Sequence, residues 1–137
     1  KAKFMIRDCK MVCEKHKISF KFNSYFPIKT VDLMRGVLIA EEDGIGNSYI
    51  SNVFEAMWVS GLNLNDQQVI DKNLKNLEIN PRTFSLRLSN QNIKDELRKR
   101  TREAFEKGVF GAPTFIVNNK VFWGQDRLEY ALTESLK

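Results

Sequence analysis

Apolar and polar residues follow the period of an α-helix over most of this chain. Apolar residues recur every three or four positions, which gives each segment one apolar face for packing. The six segments with this pattern fall at about residues 1–16, 31–43, 48–60, 67–77, 81–88 and 90–107. In the third segment, the spacing predicts a core-facing set: Tyr49, Val53, Phe54, Met57 and Trp58. The sequence therefore predicts a largely helical protein.

Strand-like patterns occur at two places. Ile18–Phe22 alternates apolar and polar residues, which predicts a half-buried strand. Thr114–Val117 and Lys120–Trp123 are rich in β-branched and aromatic residues, and Asn118-Asn119 between them tolerates the positive φ of a two-residue hairpin turn. The predicted order is helix, strand, a block of helices, then strand, strand and a final helix.

The start of this hairpin has a possible binding role. Pro113 cannot donate to a strand ladder, so it belongs at the first strand position or on an edge. A cis Ala112-Pro113 bond would turn the Ala112 N–H and C=O outward, where they could pair with an extended peptide. Asp126, at the start of the final helix, could bind an ammonium group, and N–H groups there could bind a carboxylate. The residues alone allow either a simple hairpin followed by a helix or a site for a short peptide.

Two separated blocks in the C-terminal part resemble the signature of a known family. The family comprises the 2-hydroxychromene-2-carboxylate isomerases and the kappa-class glutathione transferases, thioredoxin-fold proteins related to DsbA. The blocks are Gly111-Ala112-Pro113-Thr114-Phe115 and Phe122-Trp123-Gly124-Gln125-Asp126-Arg127-Leu128. The segments 53–58 and 61–66 also resemble the family's helical region, and the likeness runs over essentially the whole chain.

This resemblance implies an α/β fold, a thioredoxin-like sheet with a large all-helical insertion of the DsbA and kappa-transferase type. Residues 1–27 and 108–137 would form the thioredoxin-like domain, and residues 28–107 the helical insertion. The family's first strand and helix have no counterpart in this sequence, so we expect the thioredoxin-like domain to be incomplete at its N-terminal side. The family also implies a homodimer.

The resemblance further implies glutathione as cofactor. Ala112 and Pro113 would meet the backbone of its cysteine, and its γ-glutamyl end would be held by Trp123, Gly124, Gln125 and Asp126. A small aromatic molecule would be the substrate. The family's substrate-contacting tyrosine aligns with Tyr25 or Phe26, and the alignment favours Phe26.

The catalytic residue stays unassigned. In the family, a serine at a strand-to-helix turn activates the glutathione thiol as its thiolate, and no residue of this chain occupies such a turn. Three hypotheses remain open. The first is a glutathione-dependent isomerase or transferase acting on an aromatic or enone substrate, which requires the missing N-terminal segment. The second is a DsbA-like thiol-disulfide oxidoreductase with an upstream Cys-x-x-Cys pair, and the third is a non-catalytic remnant that binds a peptide or partner.

Composition and charge limit the kinds of partner and site that we expect for this protein. The chain has 137 residues, 42% hydrophobic and 28% charged, which is typical of a globular domain. Its net charge of +5 is scattered, so we expect no nucleic-acid partner, and no apolar run could span a membrane. The lack of a signal peptide predicts a cytoplasmic protein. Cys9 and Cys13 have helical spacing that favours reduced thiols, and His16, the only histidine, has no cluster around it, so no metal site is expected.

Overall fold

A computed structural model describes residues 2–137 of the chain. These residues form seven α-helices, two strands and one 3₁₀ turn. The helices are α1 (Ala2–Lys15), α2 (Val31–Glu42), α3 (Gly46–Trp58), α4 (Gln67–Lys75), α5 (Pro81–Leu88), α6 (Gln91–Glu106) and α7 (Leu128–Ser135). The strands are β1 (Thr114–Val117) and β2 (Lys120–Trp123), and the 3₁₀ turn is Gln125–Arg127. The six helices predicted before residue 108 are therefore confirmed, with ends shifted by a few residues.

Polar residues set the starts of two helices. The Asp66 carboxylate accepts a hydrogen bond from the Gln68 backbone N at 2.9 Å, and the Asn80 side chain accepts one from Thr83 N at 3.1 Å. Each bond satisfies a backbone donor that has no partner inside the helix. Thr30, by contrast, precedes α2 without a capping bond from its side chain, although threonine is a residue type that often caps helices.

The chain divides into two compact units, of which the first ends at Lys94 and the second is Asp95–Lys137; the division falls inside α6. In the first unit α2 packs against α3 and α5. Gly36 permits this close packing, because a Cβ atom there would overlap the Tyr49 hydroxyl. The assignment of residues 28–107 to a separate helical insertion stays a prediction.

The second unit contains the hairpin. β1 and β2 are antiparallel, with Thr114 opposite Trp123 and Val117 opposite Lys120. Asn118 and Asn119 have φ values of 50° and 62°, which is the left-handed backbone that a two-residue turn requires. The predicted hairpin is confirmed in its strands and its turn.

The predicted strand at Ile18–Phe22 is wrong. These residues form no strand, and the sheet of the described chain consists of β1 and β2 alone. The segment is attached to α3 by one bond, from Lys21 N to the Trp58 carbonyl at 2.6 Å. A ladder requires a partner strand, and the first unit offers none within its described residues.

Burial differs from the predicted helical faces in two places. On α3, Tyr49 and Met57 are buried and Trp58 is half-buried, but Phe54 is 61% exposed. The prediction that Phe54 belongs to the core is therefore wrong, because its side chain faces a solvent-accessible cavity instead of packing into the core. The apolar side of α1, with Phe4, Met5 and Met11, is likewise mostly exposed.

We find no helix within residues 2–137 that combines the length and the apolar character needed to cross a membrane.

Candidate functional site

The peptide group of Ala112 lies free at the end of the hairpin. The ladder begins at Thr114, and one further bond, from Gly124 N to the Pro113 carbonyl at 2.9 Å, extends it. The Ala112-Pro113 bond is cis, and both residues are exposed. The N–H and C=O of Ala112 make no hydrogen bond within residues 2–137. An extended peptide could therefore pair with this group as a short added strand.

Trp123 forms a wall next to this free peptide group. Its indole ring lies 5.1 Å from the Phe110 ring between centroids. It also covers Gly111, the residue before Ala112, so closely that a Cβ atom there would lie 2.5 Å from the indole Nε1. A larger residue at position 111 would push the indole away, and Trp123 itself remains 53% exposed. Contacts with Phe110 and Gly111 therefore position the indole, and part of its surface remains accessible to a ligand.

The Asp126 carboxylate folds back over Gly124. Gly124 has φ 107° and ψ 151°, a backbone conformation that glycine adopts readily and other residues rarely do. A Cβ atom there would also lie 2.5 Å from Asp126 Oδ1. Arg127 Nη2 is 3.7 Å from Asp126 Oδ2, which is a long and exposed ion pair. The carboxylate can therefore accept a ligand cation with little competition.

The predicted glutathione-binding residues are thus placed at one end of the hairpin. Pro113 and Gly124 share a hydrogen bond, Ala112 and Trp123 flank it, and Asp126 contacts Gly124. The side chain of Gln125 is exposed. The final helix opens with the 3₁₀ turn Gln125–Arg127 rather than directly as an α-helix.

A separate cavity of about 840 Å³ lies in the first unit, between α1, the segment 18–26 and α3. We call it the aromatic cavity. Its rings include Phe20, stacked on Trp58 with centroids 6.0 Å apart, and Phe26, 5.8 Å from both Phe22 and Trp58. Phe26, the predicted substrate residue, therefore lies in this cavity, and its alternative Tyr25 does not line it.

Asn23 holds the segment that carries these rings, and the sequence reasoning missed it. Its side chain is fully buried. Its Nδ2 donates to the carbonyls of Met57, at 3.0 Å, and Leu62, at 2.9 Å, while its Oδ1 accepts from Tyr25 N at 2.8 Å. The only signal in the sequence was one amide between aromatic residues, which does not by itself indicate a buried anchor.

Tyr49 in the first unit and Glu134 in the second have pKa values that the fold shifts away from their usual range. Burial, with a smaller contribution from the Asp32 charge, raises the pKa of Tyr49 to about 12, so its phenol stays protonated at neutral pH. The hydrogen bond from Lys120, together with that from Lys137, lowers the pKa of Glu134 to about 2.

Cys9 and Cys13 are free thiols. Residues 2–137 contain no group of three or more His, Cys, Asp or Glu side chains that could hold a metal ion.

Comparison with protein families gives a match over nearly the whole chain. The model of the DsbA-like thioredoxin domain matches residues 1–134. The chain belongs to this family. As a member of the DsbA-like thioredoxin family, it is 24% identical over 130 residues to a 2-hydroxychromene-2-carboxylate isomerase of Sphingobium xenophagum. It is 25% identical over 131 residues to the uncharacterised protein YwbO of Bacillus subtilis. These alignments cover 95% and 92% of this chain and 66% of each relative.

A solved structure supports the same fold. The structure of a 2-hydroxychromene-2-carboxylate isomerase superposes with a TM-score of 0.85 at 20% identity, covering 96% of this chain and 64% of that one. The predicted fold class, a DsbA-like thioredoxin fold with a large helical part, is confirmed. The chain spans about two thirds of the length of these relatives.

Proposed function

We propose that this protein acts as a glutathione-dependent isomerase or transferase on an aromatic or enone substrate. The observation that carries the proposal is the free peptide group of Ala112, which lies at the same end of the hairpin as Trp123 and Asp126. Relatives named as isomerases support the class of reaction. Glutathione itself is inferred from the kind of groups present.

Each of these residues has a role that its surroundings allow. The Ala112 N–H and C=O would pair with the backbone of the glutathione cysteine, since neither has another partner in residues 2–137. The Asp126 carboxylate would accept the γ-glutamyl ammonium as a charge-assisted hydrogen bond. Trp123 would pack its exposed face on the peptide. Bound glutathione supplies a thiolate, which can add to an enone or displace a leaving group from an aromatic ring.

The aromatic cavity supports an aromatic second substrate. Its volume of about 840 Å³ is within the usual range for small-molecule sites. Phe20, Phe26 and Trp58 offer ring faces and edges for stacking. The residue that activates the thiol stays unassigned in this chain.

The test starts with glutathione binding to the purified full chain by calorimetry. Asp126→Asn should weaken binding by about fivefold, or ~1 kcal/mol, as expected for an exposed charge pair. Asp95→Asn is the matched control, because Asp95 is also exposed and pairs with a neighbouring arginine, Arg98, at 2.8 Å. It should bind glutathione like the parent protein.

Turnover then separates the three hypotheses. A glutathione-dependent enzyme should consume glutathione with an aromatic electrophile such as 1-chloro-2,4-dinitrobenzene. Reduction of insulin disulfides would instead assign the protein to the oxidoreductases. Glutathione binding without either activity would indicate a peptide-binding module, and a lack of glutathione binding would refute the proposal.

A further inference from the structure

The lining of the aromatic cavity combines aromatic rings with a single charged side chain. Its lining is almost wholly apolar, and within residues 2–137 no lysine, arginine or histidine contributes to it. Of the residues that line it, Glu55 alone is charged, and Glu55 is exposed to solvent. A ligand in this cavity would therefore meet aromatic rings and one negative charge.

This pattern discriminates against anions. A carboxylate moved from water into an apolar site loses hydration that only a hydrogen-bond donor or a cation can replace. Among the described residues no basic side chain lines the cavity, the Ser19 hydroxyl is its only side-chain hydroxyl donor, and the Glu55 carboxylate would repel a second negative charge. An uncharged ring system pays neither penalty and gains apolar burial and ring contacts.

We infer that the aromatic cavity binds an uncharged fused aromatic molecule and rejects aromatic carboxylates. Phe20 and Trp58 are inclined by only 25° with centroids 6.0 Å apart, and Phe26 approaches Trp58 at 44°. These rings form adjoining faces for a flat ligand. The relatives are named for a carboxylate, so the second substrate of this protein would differ from theirs in charge.

As a statement about a second substrate, this inference rests on the proposed function. The binding itself needs no glutathione, and the experiment omits it. The two claims can therefore fail separately: the full chain can bind the neutral ring without binding glutathione, or the reverse.

The experiment compares two ligands of the same ring size, 1-naphthol and 1-naphthoate, by calorimetry with the full chain near neutral pH. We expect 1-naphthol to bind and 1-naphthoate to bind at least about tenfold more weakly. Ser19→Lys places a cation in the cavity lining and should strengthen 1-naphthoate binding by about tenfold. Ser24→Lys adds the same charge at an exposed residue outside the lining and should leave both affinities unchanged.

Cysteine alkylation locates the ligand independently. Cys9 lines the cavity and is exposed, whereas Cys13 lies one turn further along α1, outside the lining. Bound 1-naphthol should slow the alkylation of Cys9 by iodoacetamide but not that of Cys13. Trypsin separates the two thiols by cleaving after Lys10, so mass spectrometry can follow each one.

Four outcomes would overturn the inference. The first is a lack of 1-naphthol binding, and the second is equal affinity for the two ligands. The third is 1-naphthol binding that leaves the alkylation of Cys9 unchanged. The fourth is a Cys9 reactivity that falls as protein concentration rises, with no ligand binding, which would mean that a second copy of the chain closes the cavity.

Discussion

At the scale of single residues, the backbone conformation of a turn depends on its own few residues, whereas the burial of a side chain depends on elements distant in the sequence. Asn118 and Asn119 adopt positive φ because a two-residue hairpin turn requires it. This requirement can be recognised in the sequence, since it involves only the turn residues and the strand residue on either side of them. Phe54 repeats with the helical period of α3, yet it is 61% exposed. Periodicity identifies one face of a helix, but whether another element covers that face depends on residues far away in the chain.

The burial of the polar side chain of Asn23 also depends on residues that are distant in the sequence. Its amide replaces water for one carbonyl in the last turn of α3 and one in the loop that follows, so its role depends on Met57 and Leu62, more than thirty positions away. A buried amide with satisfied donors is costly to alter because its partners lose their hydrogen bonds together.

We predict that Asn23→Asp destabilises the first unit by about 3 kcal/mol. The substitution keeps the shape but places a carboxylate against two carbonyl oxygens, with no donor to replace the amide. Urea unfolding followed by far-UV circular dichroism measures the change. Asn92→Asp, at an exposed position of α6, is the control and should change stability by less than about 0.5 kcal/mol. Equal stability of the two variants would show that the Asn23 bonds contribute little.

At the scale of elements, helices and the hairpin were predictable because their hydrogen bonds are local. The conformation of the segment 18–22 was not predictable in this way. Its alternating residues would form a strand only beside a partner strand, and the described chain provides none. The two candidate sites differ in the same way. The hairpin site of the second unit lies within fifteen consecutive residues, while the aromatic cavity of the first unit joins three segments and emerged only from the fold.

Glu134 connects the hairpin to α7 and gives the second unit a pH dependence. Its carboxylate is nearly buried and accepts from Lys120 at 2.9 Å and Lys137 at 3.0 Å, and its carbonyl accepts from Asn118. The two lysines lower its pKa from 4.5 to about 2. The folded form thus holds the charged carboxylate more strongly than the unfolded chain does.

We predict that the stability of the second unit falls as pH drops from about 4.5 towards 2, because a carboxylate with a depressed pKa stabilises the fold only while it is ionised. Glu134→Gln should be less stable at neutral pH and should lose much of this pH dependence. Urea midpoints from Trp123 emission in the Trp58→Phe background, taken at neutral pH and near pH 3, test it. Glu129→Gln, exposed on the same helix, should keep the parent's pH dependence. An unchanged slope in Glu134→Gln would mean that other groups are responsible.

At the scale of the whole molecule, the fold class followed from the resemblance and is confirmed by the family match. Periodicity and composition alone would have given only a largely helical globular protein. The nucleophile could not be placed, because no residue of this chain matches the family's serine turn. What the structure adds at this scale is the uneven distribution of the core between the two units.

The buried apolar residues are concentrated in the first unit. Among the described residues, the second unit contributes only Ala131 to this set, while the others run from Leu38 to Ile93. Burial of apolar surface is the main favourable contribution to folding, and stability varies along a chain accordingly. The hairpin end with Trp123 should therefore belong to the less stable part of the protein.

We predict that the second unit unfolds at a lower urea concentration than the first. The chain has one tryptophan in each unit, so Trp58→Phe leaves Trp123 as the only reporter and Trp123→Phe leaves Trp58. The Trp123 emission should change first, and far-UV circular dichroism should follow mainly the Trp58 transition, because most helices lie in the first unit. Circular dichroism of both variants without urea controls for damage by the substitutions. Coincident transitions from the two reporters would instead indicate one cooperative unit, in which the hairpin is as stable as the helical core.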